Sequence, residues 1–517
     1  MPAPLKAALP DESARGVPGE APAPPPPRVA IVGGGLAGLA CAVGLAELGL
    51  RITLYESRPR LGGRASSFTD PVTGALVDNC QHVSMSCCTN LADFCRRVGT
   101  ANLFKVVDTI QFIGTDGRVS KWKAGPWPAP LHLAGAFLRS RFLTLGDKAR
   151  VAYGLSRLRF ATRRDSRSFE QWLRANGQND RTIARFWGTV LVSALNERLD
   201  QTDIGHARKV FLDGMMRTRH GYRLEIPRVP LGELYGTHLE SWLSARQVTT
   251  RLGCGVKQIA RGDDGGVAGV RLRTGEFEPA EFIVLAVPFD RATDLLDEPT
   301  RALIAGAEEW TNFATSPITG IHLWFDREVC PVEHAVVIDR TVQWVFNHSK
   351  IQANAPEVGG QYLQLVVSAA YDLVGLDKEA ILEIALDDLS ALWPTTRDAK
   401  VVRSWVVTEH GATFSVRPGI DRIRPQNRTG IDGLVLAGDW TATGWPATME
   451  GAVRSGYRAA EAISATLGIP KRLIQPDLPQ GWLARLLLGR STSTAHYQPT
   501  LRTMSPIDTQ SRTQRSN

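Results

Sequence analysis

The sequence predicts an α/β protein in which a Rossmann-like, dinucleotide-binding domain carries an inserted α+β domain for substrate. An apolar strand, Val29 to Val32, runs through a glycine-rich turn into a helix expected from Leu36 to Leu50,. A second strand, Arg51 to Tyr55, leads into an acidic residue. Far downstream, the short apolar strand Leu434 to Asp439 ends in Gly-Asp before a helix expected from Gly451 to Leu467. A strand, a glycine turn and a helix together form a phosphate-binding unit.

The first turn has glycine at the three places that a dinucleotide requires. Gly33 permits the tight turn after the strand, and Gly35 lets the backbone approach a pyrophosphate,. Gly38 allows the helix to pack closely on the strand,. A lone G-x-G-x-x-G is a weak signal, but Glu56 stands at the end of the second strand, where an acid accepts hydrogen bonds from a ribose,. We therefore predict a dinucleotide site, with ordinary surface charge as the alternative for Glu56.

The next turn resembles that of a family of flavoproteins. The run Arg60 to Arg64 reads R-L-G-G-R. With the preceding unit it resembles the amine-oxidase and carotenoid-desaturase superfamily, in which R-x-G-G-R follows the first β-α-β unit. The resemblance implies FAD as the cofactor, and a basic surface turn is the alternative. The strand Phe282 to Val287, closing on Pro288, resembles the middle motif of the same superfamily.

The resemblance also assigns cofactor contacts residue by residue. It implies that the backbone at Val256 holds the adenine, and that Arg64 is a cation beside the pyrophosphate or the flavin. It implies that Asp439 bonds a ribityl hydroxyl. Thr448 and Met449 then lie against the isoalloxazine ring, at a helix start that favours negative charge,.

Three further runs resemble one subfamily. The run Ala437 to Gly456 is similar to the signature of the squalene-associated flavoproteins, the hydroxysqualene dehydroxylases of bacterial hopanoid pathways. Asp78 to Val83 resembles their D-N-G-Q-H-V, although Cys80 stands where glycine is usual, and His322 to Asp326 also fits. The resemblance covers the chain from Arg28 to about Leu467. It implies reductive removal of an allylic hydroxyl from an apolar C30 isoprenoid to give squalene.

Two other functions stay open on the same residues. One keeps the fold and runs the flavin oxidatively, as a carotenoid or polyprenoid desaturase or an amine-oxidase-like enzyme. The other is a non-enzymatic, prenyl-binding carrier similar to the GDI proteins, against which the retained cofactor residues argue. The electron donor stays open too, because a single G-x-G-x-x-G argues against a dedicated NADPH domain,.

Three ionisable residues are the candidates for catalysis. His82 lies in the loop after the first cofactor unit, and we expect it to protonate the departing hydroxyl,. Glu409 and His410 are expected directly after a strand from Val401 to Val407, and they are the alternative acids. For each histidine the competing interpretation is a hydrogen-bonded structural role.

The positions of these motifs predict how the chain is divided into domains. We expect a discontinuous FAD domain from segments 28–107, 221–297 and 424–467, and a substrate domain from segments 108–220 and 298–423. Residues 1–27 are predicted to be a disordered tail rich in Pro and Ala, neither a signal peptide nor a membrane span, and 468–517 a partly disordered tail,.

Composition limits the partners. The seven cysteines form no C-x-x-C pair, which favours reduced thiols in the cytoplasm and no metal site,. The net charge of +8 is spread over apolar helices, which argues against nucleic acid,. Pro130 to Leu145 and Trp482 to Arg490 join Leu, Phe and Trp to Arg, as helices at a membrane surface do, although ordinary amphipathic helices fit as well,. The expected location is cytoplasmic, with membrane contact left open.

Overall fold

The fold is built from many short strands. The computed structural model describes residues 25–114, 116–162, 165–352 and 360–489. Of the tails predicted for residues 1–27 and 468–517, residues 1–24 and 490–517 lie outside these ranges, and the described residues of the second tail include the helix from Trp482 to Leu488. The strands are β1 (Arg28–Val32), β2 (Arg51–Tyr55), β3 (Ser67–Thr69), β4 (Leu76–Asp78), β5 (Ser84–Met85), β6 (Phe104–Val107), β7 (Thr109–Ile113), β8 (Val119–Lys123), β9 (Leu224–Pro227), β10 (Thr249–Arg251), β11 (Val256–Arg261), β12 (Val267–Leu272), β13 (Phe277–Pro279), β14 (Phe282–Leu285), β15 (Thr315–Phe325), β16 (His334–Val337), β17 (Trp344–Asn347), β18 (Gln361–Ser368), β19 (Val401–Phe414) and β20 (Leu434–Leu436).

Helices cover one face of the first sheet and one face of the second. They are α1 (Leu36–Leu45), α2 (Thr89–Arg97), α3 (Ala134–Arg139), α4 (Leu145–Leu158), α5 (Phe169–Ala175), α6 (Asp180–Thr182), α7 (Thr189–Leu195), α8 (Ile204–Arg208), α9 (His238–Ser244), α10 (Phe289–Leu295), α11 (Glu298–Arg301), α12 (His348–Ile351), α13 (Lys378–Leu392), α14 (Met449–Thr466) and α15 (Trp482–Leu488). Within the described ranges, no helix combines the length and the apolar character needed to cross a membrane.

A five-stranded parallel sheet organises the cofactor half of the molecule. Its strand order is β10-β2-β1-β14-β20, and β1 pairs with both β2 and β14. The strands β1 and β14 are almost entirely buried, because α1 and α14 cover one face of this sheet and the antiparallel sheet β11-β12-β13 packs on the other. Burial on both faces explains their continuous apolar sequences. The predicted α/β, Rossmann-like fold is confirmed. All five strands fall within segments 28–107, 221–297 and 424–467, and on this basis we propose that these segments form one domain.

A second sheet of seven strands forms the wall opposite the cofactor half. Its order is β19-β15-β18-β17-β16-β7-β8. Side chains alternate across it: on β18, Leu363 and Leu365 pack in the core cluster that contains α13, whereas Val366 faces the other way,. The helix α13 therefore covers one face of this sheet, and the opposite face is left to line a cavity.

The prediction that a strand ends at Val407 was wrong. Strand β19 continues to Phe414, so Glu409 and His410 lie inside it and not after it. The long strand β15 supplies partners throughout, pairing Ile318 with Glu409 and Thr315 with Phe414. Because β19 is an edge strand, it tolerates a charged and an exposed residue that local preference alone would place in a loop,.

The expected single helix from Pro130 to Leu145 was also wrong. The segment forms a short 3-10 turn and then α3, and the chain turns at Ser140 before α4 begins. The Ser140 hydroxyl accepts a hydrogen bond from Trp122 Nε1 at 2.8 Å, which holds the turn against β8. A tertiary contact therefore interrupts a segment whose composition favours one helix.

A buried ion pair joins α14 to the start of α2. Glu450 is fully buried, and its Oε2 accepts from the Leu91 N–H at 2.7 Å. Its Oε1 accepts from the Asn90 N–H at 3.2 Å and from Arg454 Nε at 2.6 Å. The residue before α2 makes no side-chain cap, so Glu450 supplies the acceptor that the first turn of this helix needs,.

We expect Glu450→Ala to lower the free energy of unfolding by about 2–4 kcal/mol, because it uncaps α2 and removes one of the two carboxylates that pair with the buried Arg454, the other being Asp477,. Urea unfolding followed by tryptophan fluorescence at saturating FAD measures the change. Glu383→Ala is the matched control, since Glu383 is an exposed residue of α13, and it should change stability by less than about 0.5 kcal/mol. A loss below 1 kcal/mol in Glu450→Ala would contradict the assigned role.

Candidate active site

One large cavity lies between the two sheets. Its volume is 1530 Å³. Ligand pockets are typically about 300–1,000 Å³, so this one has room for a dinucleotide and a second molecule together. Nearly all of the residues predicted to bind the cofactor line it, namely Gly33, Gly35, Glu56, Arg64, Val256, Asp439, Thr448 and Met449. Gly38 lies behind this lining, within α1.

Two glycine turns build a cradle of bare backbone at one end of the cavity. Gly33 has φ +113°, a conformation that side chains rarely adopt,. The Gly62 N–H donates to the Gly34 carbonyl at 2.9 Å, so the R-L-G-G-R turn is bonded directly to the first turn. A Cβ added at Gly63 would lie 2.9 Å from the Gly35 Cα, and no side chain fits between the two turns.

The start of α1 completes this cradle. Gly35 precedes the helix without any side-chain hydrogen bond to cap it. The open N–H groups and the helix dipole at this end favour an anion. The cradle therefore fits the pyrophosphate of a dinucleotide, with room for it because no side chain fills the space.

Glu56 and Val256 occupy the same end of the cavity. The Glu56 carboxylate accepts from the Gly34 N–H at 2.8 Å and from the Arg58 N–H at 2.8 Å. The Cys254 N–H donates to the Glu56 carbonyl at 2.9 Å, which holds the start of β11 and Val256 beside it. Glu56 therefore fixes the first turn as well as presenting a carboxylate to the cavity.

We expect Glu56→Ala to weaken FAD binding by about 10- to 100-fold, because a hydrogen bond to a charged group contributes roughly 1.5–3 kcal/mol. Flavin fluorescence titration of the apoprotein measures this affinity. Glu308→Ala, which removes an exposed carboxylate outside the cavity lining, should leave it unchanged. Equal affinity in the two variants would show that Glu56 does not contact the cofactor.

Arg64 and Asp439 meet in an ion pair that the sequence did not reveal. Arg64 Nη2 lies 2.6 Å from Asp439 Oδ1, and Arg64 Nη1 donates to the Ala412 carbonyl at 2.7 Å. Both side chains line the cavity. Beneath them the buried Arg424 donates to the Asp439 carbonyl at 2.9 Å and to the Thr441 carbonyl at 2.6 Å. Arg424 thus supports the loop that carries Asp439, a role that no local motif indicates.

Thr448 and Met449 stand at the start of α14. The Thr448 hydroxyl accepts from the Gly451 N–H at 3.1 Å and caps the helix, which explains why α14 starts at Met449, two residues before its predicted start,. The Tyr235 hydroxyl lies 3.8 Å from the Met449 sulfur. A second helix N-terminus therefore faces the cavity beside the first.

His82 lines the cavity in a defined orientation. Its Nδ1 lies 2.9 Å from the Cys80 carbonyl, so Nδ1 carries the proton and donates, and Nε2 is left as an acceptor in the neutral ring,. Burial lowers the pKa of His82, and the positive charge of Arg64 lowers it further,. The bond uses the backbone of Cys80, so the cysteine that replaces the usual glycine leaves this contact intact.

The other two catalytic candidates are separated by the strand that carries them. Glu409 lines the cavity, half-buried. His410 is exposed and does not line it, because neighbouring residues of a strand point to opposite faces,. The structure thus brings His82 and Glu409 to one cavity and leaves His410 outside.

The second sheet contributes an apolar part of the cavity wall. Alternate residues of the second sheet face it, including Phe112, Val336, Trp344, Phe346 and Val366. The rings of Trp344 and Phe346 stack with their centroids 5.4 Å apart. An aromatic surface of this kind suits a large hydrocarbon and tolerates positive charge on it.

The chain matches the model of one protein family over most of its length. Residues 36–464 match the model of the flavin containing amine oxidoreductases, which spans both sheets. The chain belongs to this family. FAD is its cofactor, as the resemblance of the sequence predicted, and the bare glycine cradle fits that group. The chain is therefore an FAD-dependent oxidoreductase.

Curated relatives of this flavoenzyme act on isoprenoids. Hydroxysqualene dehydroxylase of Sinorhizobium fredii is 27% identical over 460 residues, covering 85% of this chain and 99% of that protein. The 15-cis-phytoene desaturase of Synechococcus elongatus is 25% identical over 461 residues, covering 85% of this chain and 96% of that protein. The isoprenoid-related family membership that the sequence predicted is confirmed.

Solved structures share the fold of this flavoenzyme. An oxidoreductase from Methanosarcina mazei superposes with a TM-score of 0.64 at 19% identity, over 84% of this chain and 100% of that one. Cyclohexylamine oxidase from Brevibacterium oxydans gives a TM-score of 0.61 at 17% identity, over 86% and 100% of the two chains. At such identities the likeness shows the fold alone.

Proposed function

We propose that this flavoenzyme removes the allylic hydroxyl of hydroxysqualene reductively and releases squalene, as a step of bacterial squalene and hopanoid synthesis. The observation that carries the proposal is the continuity of the FAD cradle with an apolar wall in one cavity of 1530 Å³. A C30 hydrocarbon chain offers no charge to bind, so it needs such a wall. The 27% identical dehydroxylase supports the same substrate class.

The proposed reaction replaces the allylic C–O bond of the substrate with a C–H bond. The allylic C–O bond breaks, and the hydroxyl gains a proton and leaves as water. When bound in its two-electron-reduced form, FAD would supply hydride, a hydrogen together with its electron pair, for the new C–H bond. Trp344 and Phe346 present aromatic faces that stabilise the allylic cation left by the departing water,. An external two-electron donor then restores the reduced cofactor.

Within this proposal His82 provides the proton. Its Nδ1–H bond to the Cys80 carbonyl fixes the ring, so that Nε2 carries the transferable proton when the ring is protonated,. Arg64 disfavours the charged ring and thereby makes it a stronger acid,. Glu409, which lines the same cavity, is the alternative acid.

The second candidate function is a carotenoid or polyprenoid desaturase. It is favoured by the 25% identical phytoene desaturase, which matches the chain over a similar length. The same cavity would hold the substrate, but two hydrogens would leave it and the cofactor would be reduced. The two candidates therefore differ in the direction of electron flow.

Product analysis separates these functions. The FAD-loaded protein, reduced and kept anaerobic, is incubated with hydroxysqualene, and in parallel the oxidised protein is incubated with phytoene. We expect squalene only in the first reaction, detected by gas chromatography and mass spectrometry, and none with flavin-free protein. Absence of squalene with conversion of phytoene would assign the desaturase instead. Rapid mixing with NADPH tests whether that donor reduces the bound flavin directly.

We propose further that the enzyme works in the cytoplasm, at the inner face of the membrane. All seven cysteines are free, which suits a reducing compartment,. The proposed substrate is insoluble in water, so a membrane is the phase that supplies it.

A further inference from the structure

An apolar surface surrounds the short helix α15. Trp482 and Leu486 lie one turn apart on its outer side and are 70% and 72% exposed. On its inner side Ala484 and Leu488 are buried against Ala129. The helix therefore carries apolar side chains on both sides, and the described part of the chain covers only the inner ones.

Neighbouring segments extend this surface. Arg159 donates to the Leu487 carbonyl, and its guanidinium lies over the Phe160 ring, 4.2 Å from the centroid. Trp127 precedes Ala129, the residue that packs beneath α15, by two positions. We call this surface the α15 patch, which comprises the exposed side chains Trp127, Leu131, Phe160, Trp482, Leu486 and Leu487.

The charge around the α15 patch is positive. Segment 125–162 contains five exposed arginines, the buried Lys148 and a single acidic residue, Asp147. Asp147 is buried in the capping box of α4 and does not reach the surface. Segment 478–489 adds Arg485 and no acidic residue. Apolar side chains with arginines on the same segments, such as Arg159 and Arg485, suit an anionic lipid surface, because tryptophan and leucine enter the interface while guanidinium groups bind the headgroups,.

The cavity reaches the surface next to the α15 patch. Pro479 and Arg485 are exposed and also line the cavity. Asp213 and Asp477 line the same wall, and both are ion-paired to arginine, so they add no uncompensated negative charge at this opening. A surface docked on the α15 patch would therefore face one mouth of the cavity.

We propose that the α15 patch docks on an anionic membrane surface, so that the apolar substrate passes from the bilayer into the cavity without crossing water. The identity of that substrate rests on the proposed function, whereas the docking does not. Anionic lipid is the expected occupant because its charge is complementary to that of the arginines. The adjoining cavity mouth would let the substrate enter from the bound membrane.

Vesicle flotation tests this proposal with the full-length, FAD-loaded protein. We expect the wild type to float with phosphatidylcholine vesicles containing phosphatidylglycerol, and far less with pure phosphatidylcholine or at high salt. The double variant Trp482→Ser/Leu486→Ser should lower the partition coefficient by about 100-fold, about tenfold for each side chain withdrawn from the interface. The control Leu303→Ser, at a residue 54% exposed outside the patch, should float like the wild type.

Several results would overturn the proposal. These are equal flotation of the double variant and the wild type, once circular dichroism and flavin absorbance show that both are folded, and equal binding to neutral and anionic vesicles. If sedimentation velocity finds a wild-type dimer that the double variant dissociates, the patch binds a second copy of the chain and not lipid. Failure of the proposed function looks different: protein that floats but forms no squalene refutes the reaction alone, and turnover of detergent-dispersed hydroxysqualene without flotation refutes the docking alone.

Discussion

Gly38→Ala should give a protein that is purified without its yellow cofactor. A Cβ at position 38 would overlap the carbonyl oxygen of Gly33 and lie 3.3 Å from the Ala286 Cβ. Because the obstruction is backbone, α1 must move away from β1, and the turn that holds the pyrophosphate opens. We expect loss of flavin absorbance and of all flavin-dependent activity.

The control for this substitution is another glycine in a helical segment. Gly236 has no atom within 4 Å of the position that a Cβ would take. Gly236→Ala should therefore keep its flavin and its stability, since alanine favours a helix over glycine. The absorbance ratio of flavin to protein compares the two variants, with circular dichroism to confirm folding. A fully loaded Gly38→Ala protein would contradict the cradle as described.

His82→Gln should retain FAD and lower turnover of hydroxysqualene by about 10²- to 10⁴-fold, the range typical of a lost general acid. The exposed His410 provides the matched control, and His410→Gln should turn over normally. Steady-state kinetics of squalene formation with flavin-loaded protein measures both. Normal turnover in His82→Gln would move the acid to Glu409.

The dependence of kcat on pH gives a second, independent test of His82 as the proton donor. Burial and Arg64 lower the pKa of His82 below its usual 6.5, so the protonated ring accumulates only as the pH falls below that value,. Wild-type kcat should therefore rise as the pH is lowered through this region. This rise of kcat toward acid pH should be absent in His82→Gln. A wild-type kcat that falls toward acid pH would exclude His82 as the proton donor.

Local motifs predicted that the first glycine turn and Glu56 lie together, and the structure brings them to one end of the cavity, because this geometry depends on neighbours in sequence. Strand β1, the turn at Gly33 and the carboxylate of Glu56 follow one another within a single β-α-β unit. There the spacing of glycine and acid is set by the shape of the ligand. The observed ends of β1 and β2 agree with the apolar runs that predicted them.

The sequence could not reveal contacts between distant segments. The pair Arg64 and Asp439 was predicted as two separate cofactor contacts, since nothing in either motif indicates that the two side chains meet. Glu409 was expected in a loop because its partner strand β15 is supplied by another part of the chain. Glu450 and Arg454 could have been noticed as opposite charges one turn apart on a helix, but not as a cap for α2,.

The order in which the site is assembled during synthesis follows from the discontinuous parallel sheet. The hydrogen bond from Arg28 to Glu281 spans 253 residues, and the one from Arg64 to Asp439 spans 375. At about 5–20 residues per second, a ribosome needs roughly 20–75 s to deliver Asp439 after Arg64. During this interval the nascent chain exposes apolar strands that lack β20 and α14. Because Asp439, Thr448 and Met449 line the cavity, the complete FAD site forms only after this late part of the chain has been synthesised.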